Sequence, residues 1–374
     1  EGRDPHHELS RLWVVEPTWS VTGMAADHRR AASPDGVSRT LIALANALQN
    51  HPNLPNPGAL GPSARAEISP ELAAFVAPMA EDLMSHAGQG LVAVGAGQGL
   101  RDHELAMRLN LALGNRAVRA RRLPSALSRG TLLPEFDPAA YDTVLVFGAD
   151  LFLDEFEEMA EKIRGVDCSI YLGARPYATS EACSWVLPMT HALEEWGDAI
   201  GPDASLCLRQ PLIAPLLGGR SDLTLLAQLA ALEQNDFQTV QETYAGIGAD
   251  RSWREALHVG WASIDVATEL TAPVTEWRSG SVRSRDGLQI HTFPDRKHRD
   301  GQYPNNAWLQ ELPAPVTKLT WGNAALFAPA TADRYGIRHG DVVRLTTDRG
   351  SVEIPAMILP GQDAHTVSVA YGYG

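Results

Sequence analysis

The sequence predicts an α/β fold: a parallel-sheet domain with helices on both faces, followed by a C-terminal β-barrel-like domain. Three observations predict it. Apolar runs of strand length, GLVAVGAG at 90–97, DTVLVFG at 142–148 and VDCSIYLG at 166–173, alternate with stretches of helical period. Uninterrupted apolar strands between helices belong to parallel sheets buried on both faces. From residue 326 onward the pattern shortens to that of β structure, and the change from helix-rich to β-rich falls near 313. Three segments follow: a partial α/β core over 1–265, an irregular linker over 266–312, and a truncated β domain over 313–374.

Taken in order, residues 12–15, LWVV, are a short strand candidate running into Glu16-Pro17. Ser33-Pro34 reads as an N-cap with proline in the first turn, and a helix is predicted to about residue 49. The stretch 51–63, rich in Pro, Gly and Asn, is a loop. Ser69-Pro70 repeats the cap signal for a helix through about residue 86. The strand at 90–97 ends in glycines, and a helix over 101–113 stops at Gly114, a left-handed stop signal. After the strand at 142–148 come a helix over 154–163, the strand at 166–173 and a fourth short one, SWVLP, at 184–188. Helices return at 222–232, 237–244 and 253–259. Residues 266–303 are polar and irregular. At the far end, 342–346, 352–359 and 366–370 read as antiparallel strands, with a turn at Asp348-Arg349-Gly350.

Composition excludes several function classes. Apolar residues make up 44% of the chain, with 9 Trp, which a disordered or fibrous protein does not carry. The longest apolar runs, 41–48 and 223–232, fall short of a membrane span, so no direct span is expected. A net charge of −14 argues against nucleic acid, which needs a basic footprint. Arg116, Arg119, Arg121 and Arg122 form one basic cluster, read as a solvated strand end or loop. Cys168, Cys183 and Cys207 have neither iron–sulfur nor zinc spacing and read as buried structural thiols. The chain opens close to a strand without Met or an apolar signal region, and it stops at VSVAYGYG. Both ends therefore read as cuts through a longer protein.

Two stretches carry candidate chemistry. Gly95-Ala96-Gly97-Gln98-Gly99 lies between a predicted strand and a helix, where glycine backbone N–H groups can approach a phosphate. Its spacing is GxGxG rather than GxGxxG, and Arg residues follow where an acidic residue would select NAD; an Arg suits a 2′-phosphate. An NADP site and plain packing of a strand–helix turn both remain open. In the second stretch a strand delivers His191, Glu194, Glu195 and Asp198 to a loop. Those groups suit acid–base work or a cation, or equally a capped, solvated loop.

The segment 179–188 with 194–197, Thr-x-x-x-Cys-Ser-Trp-Val-Leu-Pro and Glu-x-x-Gly, resembles the closing motif of the α/β domain in molybdopterin oxidoreductases. Ser184-Trp185 stands where that family usually has Asp-Val. Residues 205–232 resemble the stretch that follows it, and Gly336-Ile337-x-x-Gly340-Asp341-x-Val343 with Arg349-Gly350 resembles the family's final β-barrel domain. Further stretches, at 11–29, 194–199, 209–219, 253–260, 305–325 and 367–374, narrow the resemblance. Together they are similar to the large molybdopterin-oxidoreductase-like, iron–sulfur component of bacterial alternative complex III, a quinol:cytochrome c oxidoreductase. Likeness is weakest over 51–90 and 266–300.

This resemblance implies a peripheral scaffold on the periplasmic side of the membrane, exported by a twin-arginine signal upstream. It implies a fold that has lost its pterin, as does DAIGPDAS at 198–205, which replaces a stretch lying near the pterin in active relatives. No catalytic residue, metal ligand or cofactor is expected in the chain itself. Iron–sulfur clusters and haem c are expected in partners: an iron–sulfur domain, a multihaem cytochrome c and a quinol-binding membrane subunit. Glu194, Glu195, Asp198, Asn305 and Asn306 would then fix loops or interfaces. The enzymatic alternative is the C-terminal part of a catalytic molybdopterin enzyme, with its iron–sulfur domain and metal ligand upstream. There Thr317, Lys318, Asn323 and Tyr371 would hold the pterin, since its phosphates and ring nitrogens need hydroxyl, ammonium and amide partners.

Overall fold

The computed structural model describes residues 10–61, 65–115, 120–121, 136–148, 156–201, 203–264, 269–270, 281–282, 287–299, 301, 303–348 and 350–373. Two compact units emerge, one from residues 1–120 and 270–374, the other from 121–269.

In the first unit, β1 (Trp13–Glu16) pairs in parallel with β2 (His28–Ala31) across the short helix α1 (Val21–Met24). Helices α2 (Pro34–Gln49), α3 (Pro70–Ser85) and α4 (Leu100–Ala112) follow. The predicted caps form: the Ser33 hydroxyl accepts from Gly36 N–H and the Ser69 hydroxyl from Leu72 N–H, each followed by Pro. Leu41, Leu44, Leu48, Leu72, Val76 and Leu109 close a buried cluster among the three helices. Full burial of each such side chain stabilises by about 1.5–3 kcal/mol.

Residues 90–95 correct the sequence prediction, because they join no sheet. The pattern is strand-like, with Val92 and Val94 packed on the helices and Leu91 and Ala93 exposed. Instead of a ladder, the Asn110 amide takes both polar groups of Val92: Oδ1 accepts its N–H at 2.8 Å and Nδ2 donates to its carbonyl at 2.7 Å.

The second unit holds the predicted parallel sheet. Strands β3 (Thr143–Phe147), β4 (Cys168–Gly173) and β5 (Trp185–Pro188) are parallel neighbours, with helices α5 (Phe156–Arg164) and α6 (Ala178–Ala182) in the crossovers. Beyond them β6 (Gly197–Ile200) and β7 (Ser205–Arg209) form a hairpin; the sequence reading placed Asp198 in a loop and assigned no strand to 205–209. Its Gly, Pro and Asp content hides it. Helices α7 (Asp222–Leu229), α8 (Asp236–Gly246) and α9 (Trp253–Val259) follow, and β8 (Trp261–Ser263) completes an antiparallel sheet of order β8-β7-β6. Leu206, Val240, Tyr244 and Ala256 form its core, flanked by Trp196, Phe237 and Trp253 in mutual ring contact. Arg116, Arg119, Arg122 and the first residues of the predicted helix at 154 lie outside the described residues.

Returning to the first unit, β9 (Gln289–Pro294) comes from the stretch expected to be irregular. Its inward residues are Gln289, His291 and Phe293, so the apolar alternation that betrays a strand is broken. Helix α10 (Ala307–Glu311) follows, then β10 (Ala325–Phe327), α11 (Pro329–Tyr335), β11 (Val342–Thr347), β12 (Gly350–Ile358) and β13 (Thr366–Tyr371). The sheet runs β9-β13-β10-β12-β11. It is open rather than a closed barrel among the described residues. Nor is it purely antiparallel, since β9 lies parallel to β13 and β10 parallel to β12.

Candidate functional site

The end of β9 turns sharply and gathers buried polar groups. Asp295 is buried there, and its carboxylate collects three donors. Oδ1 accepts from Lys297 N–H at 2.7 Å and His298 N–H at 3.0 Å, and Oδ2 from the Tyr373 hydroxyl at 3.1 Å. Burial, reinforced by the Asp295 carboxylate, pushes the Tyr373 phenol up to about 12. His298 is fully buried, with its ring edge-on to Tyr373 at a centroid distance of 5.1 Å. Neither of its ring nitrogens has a hydrogen-bond partner among the described residues, although Nδ1 lies 3.9 Å from Asp295 Oδ1. Lys297 is also buried, and its Nζ reaches the Leu319 carbonyl at 3.4 Å.

Beside this turn lies a pocket of about 50 Å³, lined by Trp19, Asp295, Arg296, Thr317, Asn323 and Tyr373 among others. Two of the four residues the sequence singled out for a pterin, Thr317 and Asn323, are on its wall. Lys318 and Tyr371 are not. Asn323 is occupied within the chain: Nδ2 donates to Ala370 O at 2.6 Å and Oδ1 accepts from Ala324 N–H at 2.9 Å. Lys318 Nζ donates to Pro315 O at 2.9 Å, and Thr317 Oγ1 accepts from Leu319 N–H at 3.4 Å. Tyr371 is exposed at the end of β13. Pockets for small ligands run to roughly 300–1,000 Å³. A whole pterin dinucleotide does not fit this one. Sequence reasoning missed Asp295, Lys297, His298 and Tyr373; the only signal was the charged run at 295–298 behind a disguised strand.

In the second unit the acidic stretch divides instead of converging. Glu194 braces a loop, accepting from His191 N–H at 2.7 Å and Leu216 N–H at 3.0 Å, and these bonds hold its carboxyl below the usual range. Glu195 is buried, hydrogen-bonded by the Thr190 hydroxyl and paired with Arg209 Nη2 at 2.6 Å. Burial pushes its carboxyl up, while Thr190 and Arg209 pull the other way. Asp198 lies on β6 opposite Leu208, not in a loop, and burial raises it too. His191 Nδ1 accepts from Leu193 N–H at 3.2 Å. These contacts are those of a braced loop over a buried ion pair, and they aim no acid–base pair at a common point.

The other sequence candidates resolve as follows. Gly95, Gly97 and Gly99 are exposed, and a Cβ at any of them would meet nothing within 4 Å, so close packing does not explain them. Asn306 caps α10, its side chain accepting from Leu309 N–H at 3.2 Å. The cysteines are free; Cys168 and Cys183 are half-buried and Cys207 is exposed, which corrects the expectation of buried thiols. Among the described residues no group of three or more His, Cys, Asp or Glu could hold a metal ion, and no helix is long and apolar enough to cross a membrane.

Comparison with known proteins adds a family match over part of this region and a structural likeness over the whole chain. Residues 302–374 match the family model described as Molydopterin dinucleotide binding domain. No curated protein matches the sequence. Among solved structures the chain is similar to acetylene hydratase from Pelobacter acetylenicus, with a TM-score of 0.68 and 12% sequence identity. That match covers 97% of this chain and 66% of the other, so the chain spans just under two thirds of the hydratase. At that identity the likeness shows the fold alone. Residues 302–374 thus match a molydopterin dinucleotide binding domain, carried on a mixed α/β chain whose fold is similar to that of acetylene hydratase.

Proposed function

We propose that this chain is a scaffold subunit of a membrane-bound quinol:cytochrome c, or quinol:electron-acceptor, oxidoreductase of the alternative complex III type. It would hold an iron–sulfur domain, a multihaem cytochrome c and a quinol-binding membrane subunit in register on the periplasmic side. One observation supports this reading above the others. The dinucleotide-binding domain keeps its sheet and motif, yet the Asn323 amide and Lys318 ammonium are bonded within the chain beside a pocket of about 50 Å³. Such groups fix loops. Electrons would pass through the partners.

A second reading is favoured by a separate observation. Lys297 is a buried ammonium whose one hydrogen bond among the described residues goes to a neutral carbonyl at 3.4 Å, and a buried cation gains most from an anion. On that reading the chain is the C-terminal part of a catalytic molybdopterin enzyme. Thr317, Lys318, Asn323 and Tyr371 would then exchange their internal bonds for the pterin and its phosphates. Metal and pterin analysis of the purified native protein separates the two. The scaffold reading expects no stoichiometric molybdenum or pterin, with iron and haem c accompanying the partners. One molybdenum per chain overturns it.

A further inference from the structure

We draw no further inference here: the strongest candidate, the surface loop over 211–217 of the second unit, which exposes Leu212, Ile213, Leu216 and Leu217, carries nothing, since nothing in the structure shows what covers it.

Discussion

Asp295 shows how one side chain can organise a site that no motif announces. Its three donors come from its own turn and from Tyr373, 78 residues later. Thr317 and Asn323 could be singled out because they sit in a recognisable run, and both line the pocket, whereas Asp295 and Tyr373 gain meaning only when β9 and β13 pair. His291, on the same strand, makes the region pH-sensitive. Burial lowers its imidazole pKa below the ordinary 6.5, and nearby Glu16 offsets this only in part. The unfolded chain therefore takes up the proton first as pH falls. Stability is present above pH 6.5 and is lost progressively as pH drops through 6.5 toward the lower folded value. Thermal melts across that window are expected to show a falling midpoint in the parent protein, and a flatter dependence in His291→Gln.

At the scale of elements, the motif Gly336-Ile337-x-x-Gly340-Asp341 has a local physical cause. Gly336 ends α11 in the left-handed region at φ 67°, and Gly340 repeats that conformation at φ 90° while donating to Ala356 O at 2.8 Å. Asp341 closes the turn by accepting from Arg338 N–H at 2.7 Å. Gly336→Ala is expected to cost about 1–2 kcal/mol, the strain of a left-handed β-carbon. Chemical denaturation should show the lower midpoint without a changed slope. Turns and caps such as Ser33, Ser69 and Gly336 were readable because the residues that make them are adjacent. Strand β9 was not, since its buried face is Gln289, His291 and Phe293. Residues 90–97 failed in the opposite way: the residue pattern is right for a strand, but pairing is a property of neighbours.

On the scale of the whole molecule, the first unit is fastened where the two ends of the chain meet. Trp19 Nε1 donates to Pro360 O at 2.7 Å, Arg29 Nη1 to Gly361 O at 2.9 Å, and Asp363 N–H to Pro17 O at 2.8 Å. The Arg29 guanidinium also lies over the Trp19 ring, 3.6 Å from its centroid. Gly361 has φ 85°, and a Cβ there would collide with the Trp19 indole. Gly361→Ala is expected to destabilise by more than the roughly 1–2 kcal/mol of backbone strain. The excess should shrink in a Trp19→Phe background, which a double-mutant cycle measures as coupling. This clasp also dictates an order of events during synthesis. Residues 10–31 leave the ribosome before their docking partners at 359–363, which appear only after the whole of 121–269 has been made. At roughly 5–20 residues per second, the N-terminal half of the clasp waits on the order of twenty seconds to a minute for its mate. A nascent chain in that interval has Trp19 covered by Arg29 alone, with its Pro360 acceptor not yet made.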